Sequence, residues 1–236
     1  MLGQLLEFSV NAKPDVATLE LYRCLGFQSL QVSDVPAAPY AALWDGAITL
    51  GLQDAKFDAP VPTFVRPNLR MYLRGLRHLG VEFAYARLAD DEFNQAAFRD
   101  PNGQLVVLLE ARTFSPAPRE RASVSACGEF LEWSVATHSL EESEAFWSAL
   151  GVQRIAAGDT PEPWVRLAGR GLVVGFHSST RLAPGLTFRS PDLDARLEYL
   201  RAKGVTVQRG APVAERDSKA ATLLLPEKTP IYLIDA

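Results

Sequence analysis

Leu6-Glu7-Phe8-Ser9-Val10 near the amino end and Leu131-Glu132-Trp133-Ser134-Val135 past the middle are one pattern met twice, 125 residues apart. The echo continues. At the same displacement or one less, Leu25-Gly26 returns as Leu150-Gly151, Gly51 as Gly175 and Thr63-Phe64 as Thr187-Phe188. Pro67-Asn68-Leu69 returns as Pro191-Asp192-Leu193, and Gly80-Val81 as Gly204-Val205. So long a period, occurring twice, marks a duplicated domain and not a solenoid. Between the copies, TFSPAPRERASVS has the Pro, Ser and charge content of a linker. The expected division is residues 1–112, a linker at 113–125, and residues 126–236.

Within each copy the pattern reads as strand, helix and three strands, performed twice. Leu5 to Val10 alternates as a strand, and Asp15 to Leu25 sets Val16, Leu19, Tyr22 and Leu25 on one helical face before Gly26 stops the helix. Strands follow at Phe27 to Val32, Tyr40 to Trp44 and Ala47 to Leu52, the last two joined by the hairpin signal Asp45-Gly46. Pro67-Asn68 opens a second helix with Leu69, Tyr72, Leu73, Leu76 and Leu79 inward. Strands at Val81 to Ala86, Gln95 to Arg99 and Gln104 to Ala111 follow, with a tight turn at Asp100-Pro101-Asn102-Gly103. In the second copy Ser139 and Glu142 have capping-box spacing, and Leu193, Leu197 and Leu200 line one helical face.

Composition limits what such a chain can do. The 236 residues carry 24 basic and 28 acidic side chains, a net charge of −4, and are 47% hydrophobic. That balance is too acidic for nonspecific nucleic-acid binding and apolar enough for a sizeable core. MLGQLLEFSV has neither the basic region nor the unbroken apolar stretch of a secretory signal, and no run approaches the length of a membrane span. A cytoplasmic protein without nucleic-acid or membrane partners is expected. Cys24 and Cys127 lack CxxC spacing and read as reduced, inert thiols.

The paired βαβββ order, the helices ending in Leu-Gly-Phe or His-Leu-Gly-Val, and Phe98-Arg99-Asp100-Pro101-Asn102-Gly103 together resemble the vicinal oxygen chelate superfamily of glyoxalases, bleomycin-resistance proteins and extradiol dioxygenases. The resemblance covers nearly the whole chain, once per copy. It implies an α+β fold of two tandem glyoxalase-like domains, each an eight-stranded curved sheet whose concave side, the cup, holds ligand. Active members of that family bind a divalent metal through their first and last strands. By spacing, those positions are Glu7, Leu50, Val61 and Val107, then Glu132, Val174, Gly185 and Tyr232. One carboxylate per copy is too few for a zinc, iron or manganese site, and mixing halves of the copies does not help. Degenerate metal sites and no cofactor are expected.

With Leu6, Phe8 and Val10 turned to the helices, Glu7 and Ser9 face the cup, as do Glu132 and Ser134. A carboxylate there could contact ligand, act as a base raised by desolvation, or pair with an arginine such as Arg99 or Arg166. Trp44, Trp164, Val107 and Tyr232 are further candidates for a ligand wall, whereas Trp133 and Trp147 have the phase of core. His177 and its counterpart Gln53 take the outward phase of their strand, and Arg70, Arg74 and Arg77 read as a solvated helix face. The resulting expectation is a metal-free protein holding a small organic molecule in its cup, either as a monomer with pseudo-twofold domains or as a homodimer. The alternatives are an enzyme of the same family (lyase, isomerase or dioxygenase), metal-dependent or with Glu7 or Glu132 as catalytic base, and a pseudo-enzyme acting through its surface.

Overall fold

The computed structural model describes residues 2–31, 39–57, 59–89, 94–111, 125–214 and 218–235. The amino-terminal copy runs β1 (Gln4–Asn11), α1 (Val16–Cys24), β2 (Gln28–Leu30), β3 (Tyr40–Trp44) and β4 (Thr49–Gln53), then β5 (Val61–Arg66), α2 (Leu69–His78), β6 (Phe83–Arg87), β7 (Gln95–Arg99) and β8 (Leu105–Glu110). The second copy repeats it as β9 (Glu129–Ala136), α3 (Leu140–Ala149), β10 (Gln153–Gly158), β11 (Trp164–Gly169) and β12 (Leu172–His177), then β13 (Gly185–Ser190), α4 (Leu193–Ala202), β14 (Thr206–Arg209), β15 (Ala220–Leu224) and β16 (Ile231–Asp235). This is the expected α+β architecture, two eight-stranded mixed sheets with four helices. Strand order is β2-β3-β4-β1-β5-β8-β7-β6 in one sheet and β10-β11-β12-β9-β13-β16-β15-β14 in the other. The first strands of the two units meet antiparallel at the centre, and each pairs in parallel with the last strand of its own unit. Of the expected linker only Ser125 is among the described residues, as is none of Val32 to Ala38.

Two-residue alternation sorts each central strand into a core face and a cup face. Phe8, Val10, Leu50, Leu52 and Phe64 join Leu73 and Leu76 of α2 in the core, so this is the face the helices cover. Glu7, Ser9, Gly51 and Thr63 lie on the opposite face. Leu50 and Val174, expected to project with the glutamates, are instead core residues, and Gly51 and Gly175 hold the cup-facing positions. A shift of one residue along a strand exchanges the faces. Val16 is 73% exposed and Leu79 47%, because each sits at a helix end beyond the packed stripe. Ser139 does cap α3, accepting from Glu142 N at 3.1 Å, but its own N–H goes to Thr137 Oγ1 and so leaves the box half closed.

The two copies share one core and exchange matching contacts. Phe8 lies 6.0 Å from Phe130 and 6.2 Å from Trp133, ring centre to ring centre, and Phe98 lies 6.1 Å from Phe146. Trp147 of α3 donates its indole N–H to Asp100 in the β7–β8 turn of the other copy at 3.3 Å. At the equivalent position of α1, Tyr22 donates its hydroxyl to Glu227, between β15 and β16, at 2.5 Å. Thus the last hairpin of each copy sets a carboxylate on the first-helix aromatic of the other, the reciprocal pattern of a two-fold pair. Burial raises both carboxyls above their ordinary values, since these donors offset only part of the desolvation.

Removing Asp100 strands the buried indole N–H and two turn amides, so Asp100→Ala is expected to lower unfolding free energy by about 2 kcal/mol. The measurement is urea denaturation followed by tryptophan fluorescence and by far-ultraviolet dichroism. A single coincident transition is expected from the shared core, and two separate ones would contradict it.

Candidate functional site

On the cup face of the second copy, a buried carboxylate organises a polar cluster. Glu132, 1% exposed, takes Arg166 Nε at 2.5 Å on Oε2. On Oε1 it receives Ser134 Oγ at 2.8 Å and lies 2.6 Å from His177 Nε2. Ser134 passes the chain on to Thr187 Oγ1 at 2.6 Å. The sheet builds this cluster by register: Arg166 pairs with Gly175, Gly175 with Ser134, Trp164 with His177, and Thr187 with Glu132. Trp164 lies tilted across His177 at 6.4 Å, and the Arg166 guanidinium stands 5.0 Å over the Trp164 ring.

His177 is therefore not a surface residue. It is 6% exposed and shares the cup face with Gly175, where the expectation had placed it and Gln53 outward. The error has the same origin as that at Val174, a strand phase displaced by one residue. Arg166 is the arginine partner that was expected for a glutamate. Arg99 is not: it is exposed and binds Gly103 O within its own hairpin. The register of Gly175 with Ser134 is the signal that could have located His177, two residues along the same strand.

The first copy keeps the floor and changes the walls. Glu7, 5% exposed, accepts from Ser9 Oγ at 2.9 Å and from the Tyr40 hydroxyl, and Ser9 meets Thr63 Oγ1 at 3.1 Å. In register, Ala42 stands where the second copy has Arg166, Gln53 where it has His177, and Tyr40 where it has Trp164. In both copies the carboxylate lies against a glycine, Gly51 or Gly175, and a β-carbon on either would overlap it. Val107 pairs with Thr63, and Tyr232 with Thr187, which puts both candidates beside the polar floor. The Tyr232 hydroxyl is already committed to Ala183 O at 2.8 Å, and burial pushes its pKa up to about 12. Trp44 is half-buried, two residues beyond Ala42 on the same strand face.

These walls drive the two glutamates apart. Burial raises Glu7, and the hydrogen bonds from Tyr40 and Ser9 recover only part of the cost, so its pKa lies above the ordinary 4.5. Burial also acts on Glu132, but the His177 hydrogen bond and charge, the Arg166 charge and the Ser134 hydroxyl outweigh it, and its pKa falls below 4.5. The same donors decide the fit of a divalent metal. Both Glu132 oxygens already carry donors, a guanidinium takes the place of a cation, and the remaining neighbours are Ser134, Thr187, Gly175 and Tyr232. Among the described residues no three His, Cys, Asp or Glu converge. The residues present do not fit a metal of the kind the fold implies.

No protein-family model and no curated protein matches the sequence. Solved structures do match the fold. A catechol 2,3-dioxygenase aligns with 100% of this chain and 87% of its own at a TM-score of 0.56 and 16% identity. A 2,2',3-trihydroxybiphenyl 1,2-dioxygenase from the dibenzofuran-degrading Sphingomonas wittichii strain RW1 aligns with 100% and 91% at 0.62 and 13%. A variant of 4-hydroxymandelate synthase from Streptomyces coelicolor aligns with 99% and 92% at 0.59 and 14%. At such identities the likeness is one of fold, the tandem vicinal-oxygen-chelate type. No helix among the described residues is long and apolar enough to cross a membrane.

The two glutamates should respond oppositely to removal of their charge. Because the folded pKa of Glu132 is depressed, its contribution is present above pH 4.5 and is lost as pH falls through the folded value. Glu132→Gln is expected to cost about 3 kcal/mol at pH 7, leaving Arg166 and His177 without their anion, and progressively less below pH 4.5. Glu7 has a raised folded pKa, so its favourable linkage is fully present below 4.5 and is lost as pH rises through the folded value. Glu7→Gln is expected to match or exceed wild-type stability at pH 7, its advantage growing with pH. Urea midpoints between pH 3.5 and 8 check both, and equal destabilisation by the two substitutions would contradict the assignment.

Proposed function

We propose that this chain is an enzyme that transfers a proton on a small organic substrate at the cup face of its second copy. His177 is the acid–base group, and Glu132 is its positioning residue. The observation that carries this reading is one carboxylate gripping an imidazole and a guanidinium together. An ionised carboxylate only accepts, so His177 Nε2 donates to Glu132, and a ring acting as base would carry its lone pair on Nδ1. Nδ1 can then take a proton from a hydroxyl or an activated carbon. Glu132 stabilises the imidazolium so formed, and the same proton returns to another atom of the product. Arg166 holds Glu132 as the carboxylate throughout. The buried setting and the Trp164 face favour a flat, partly apolar substrate.

The solved structures of similar fold support an enzyme over a glyoxalase-like or bleomycin-resistance-like binder, since those described above are dioxygenases and a synthase. Two of those proteins are named for catechol and trihydroxybiphenyl, which makes phenols and their keto forms the first substrates to try. A binding role is favoured by a different observation, the uncompensated Glu7 of the first copy.

The test is proton exchange at carbon, followed by NMR in deuterated buffer, over a panel of catechols, phenols and aryl hydroxyketones. His177→Gln is expected to lower the rate by about 10²-fold or more. Glu132→Gln is expected to lower kcat more than it changes KM and to displace the pH profile, which a purely structural role would not do. Dialysis against EDTA is expected to leave turnover and melting temperature unchanged. Exchange that survives His177→Gln, or that is lost to EDTA and restored by zinc, iron or manganese, would overturn the proposal.

A further inference from the structure

The duplication supplies an internal comparison, because one copy shows what the other lacks. Around Glu132 the chain provides its own partners: the Arg166 guanidinium on Oε2 and the His177 imidazole on Oε1. Around Glu7 the same floor survives, with Ser9, Thr63 and Gly51 in place of Ser134, Thr187 and Gly175. Those partners do not. Ala42 takes the arginine position and Gln53 the histidine position. Among the described residues, Glu7 Oε1 receives one hydrogen bond, from Ser9, where Glu132 Oε1 engages both Ser134 and His177. Glu7 Oε2 receives the neutral Tyr40 hydroxyl where Glu132 Oε2 receives a guanidinium. An arginine shortened to an alanine also withdraws the whole side chain beyond Cβ from beside the carboxylate.

We propose that the first copy binds a small organic cation, an amidinium or primary ammonium on a flat apolar body, with its charged head paired to Glu7. The ligand supplies from outside what Arg166 and His177 supply from within the second copy. Arg166 already displays the geometry, its Nε on a carboxylate and its guanidinium over an aromatic ring. In the first copy the ring at the equivalent position is Tyr40, and Ala42 carries no side chain beyond Cβ where the second copy has its guanidinium. Gln53 adds a carbonyl that can accept a second N–H. A buried carboxylate without a cation gains most from a charged partner, because pairing offsets a desolvation cost already incurred on folding. This site is independent of the proton transfer proposed for the second copy, so failure of either leaves the other standing.

Benzamidine and benzylamine are the probes, with benzamide and benzyl alcohol as neutral counterparts of nearly the same shape, measured by isothermal titration calorimetry on the full chain. The cations are expected to bind one per chain, at least tenfold more tightly than their neutral counterparts. Glu7→Gln, which keeps shape and hydrogen bonding, is expected to weaken them at least tenfold while the melting temperature is held or raised. Ala42→Arg is expected to abolish binding by placing the second copy's own cation in the first. Equal affinity for the neutral compounds, binding that persists in Glu7→Gln, or no saturable binding of either cation at millimolar concentration would each overturn the proposal. Glu7→Gln decides the matter even where Ala42→Arg fails to fold.

Discussion

A carboxylate buried on the face of a β-sheet needs room to lie down and donors to lie against. Both copies meet the first need with a glycine on the adjacent strand, Gly51 under Glu7 and Gly175 under Glu132. Neither glycine has a left-handed backbone, so what matters at each is the missing β-carbon and not conformational freedom. They meet the second need with a hydroxyl chain, Ser9 to Thr63 and Ser134 to Thr187, running across the antiparallel seam where the two units of a copy join. A glycine, a serine and a threonine thereby tie three strands to one acid. Replacing the serine would take one donor from an acid in a low-dielectric setting, where a lost hydrogen bond is costly.

From that common floor the two copies go separate ways, and three wall positions account for the difference. Arginine, histidine and tryptophan around Glu132 produce a neutralised cluster with a depressed carboxyl. Alanine, glutamine and tyrosine around Glu7 produce a raised one. Two equivalent acids with pKa values pushed to opposite sides of the ordinary value are suited to different tasks. In the proposed roles, the charged member orients a base, while the other pairs with a cation from outside.

The fold was legible in the sequence because duplication prints each landmark twice. Helix-stopping Gly26 and Gly151, the LEFSV and LEWSV strands, and the Asp45-Gly46 and Asp100 turns fixed the order of elements to within a few residues. The glutamates, serines and Trp133 followed from strand alternation, and Trp147 from helical phase. His177 did not, and the physical reason is register. Assigning Leu50 and Val174 to the cup displaced that strand by one residue, which sent His177 and Gln53 to the wrong side. The pairing of Gly175 with Ser134 corrects it, but pairing between strands more than forty residues apart is a tertiary fact that local periodicity does not contain. The exchanged contacts of Tyr22 with Glu227 and Trp147 with Asp100 were likewise out of reach, since both partners look like ordinary helix and turn residues.

Those exchanged contacts explain how the walls were free to diverge. The copies are joined through the helix-covered faces of their sheets, where Phe8, Phe130, Trp133 and Trp147 share one core. Residues on the cup faces take no part in that joint, because strand alternation directs them the other way. Exchanging Arg166 for Ala42 or His177 for Gln53 between copies therefore changes charge and volume beside a glutamate without touching the contacts that hold the chain together. The joint between the copies is carried on one side of each sheet and the divergent walls on the other. A single duplicated scaffold can in this way keep one cup internally neutralised while its twin stays open to a charged ligand.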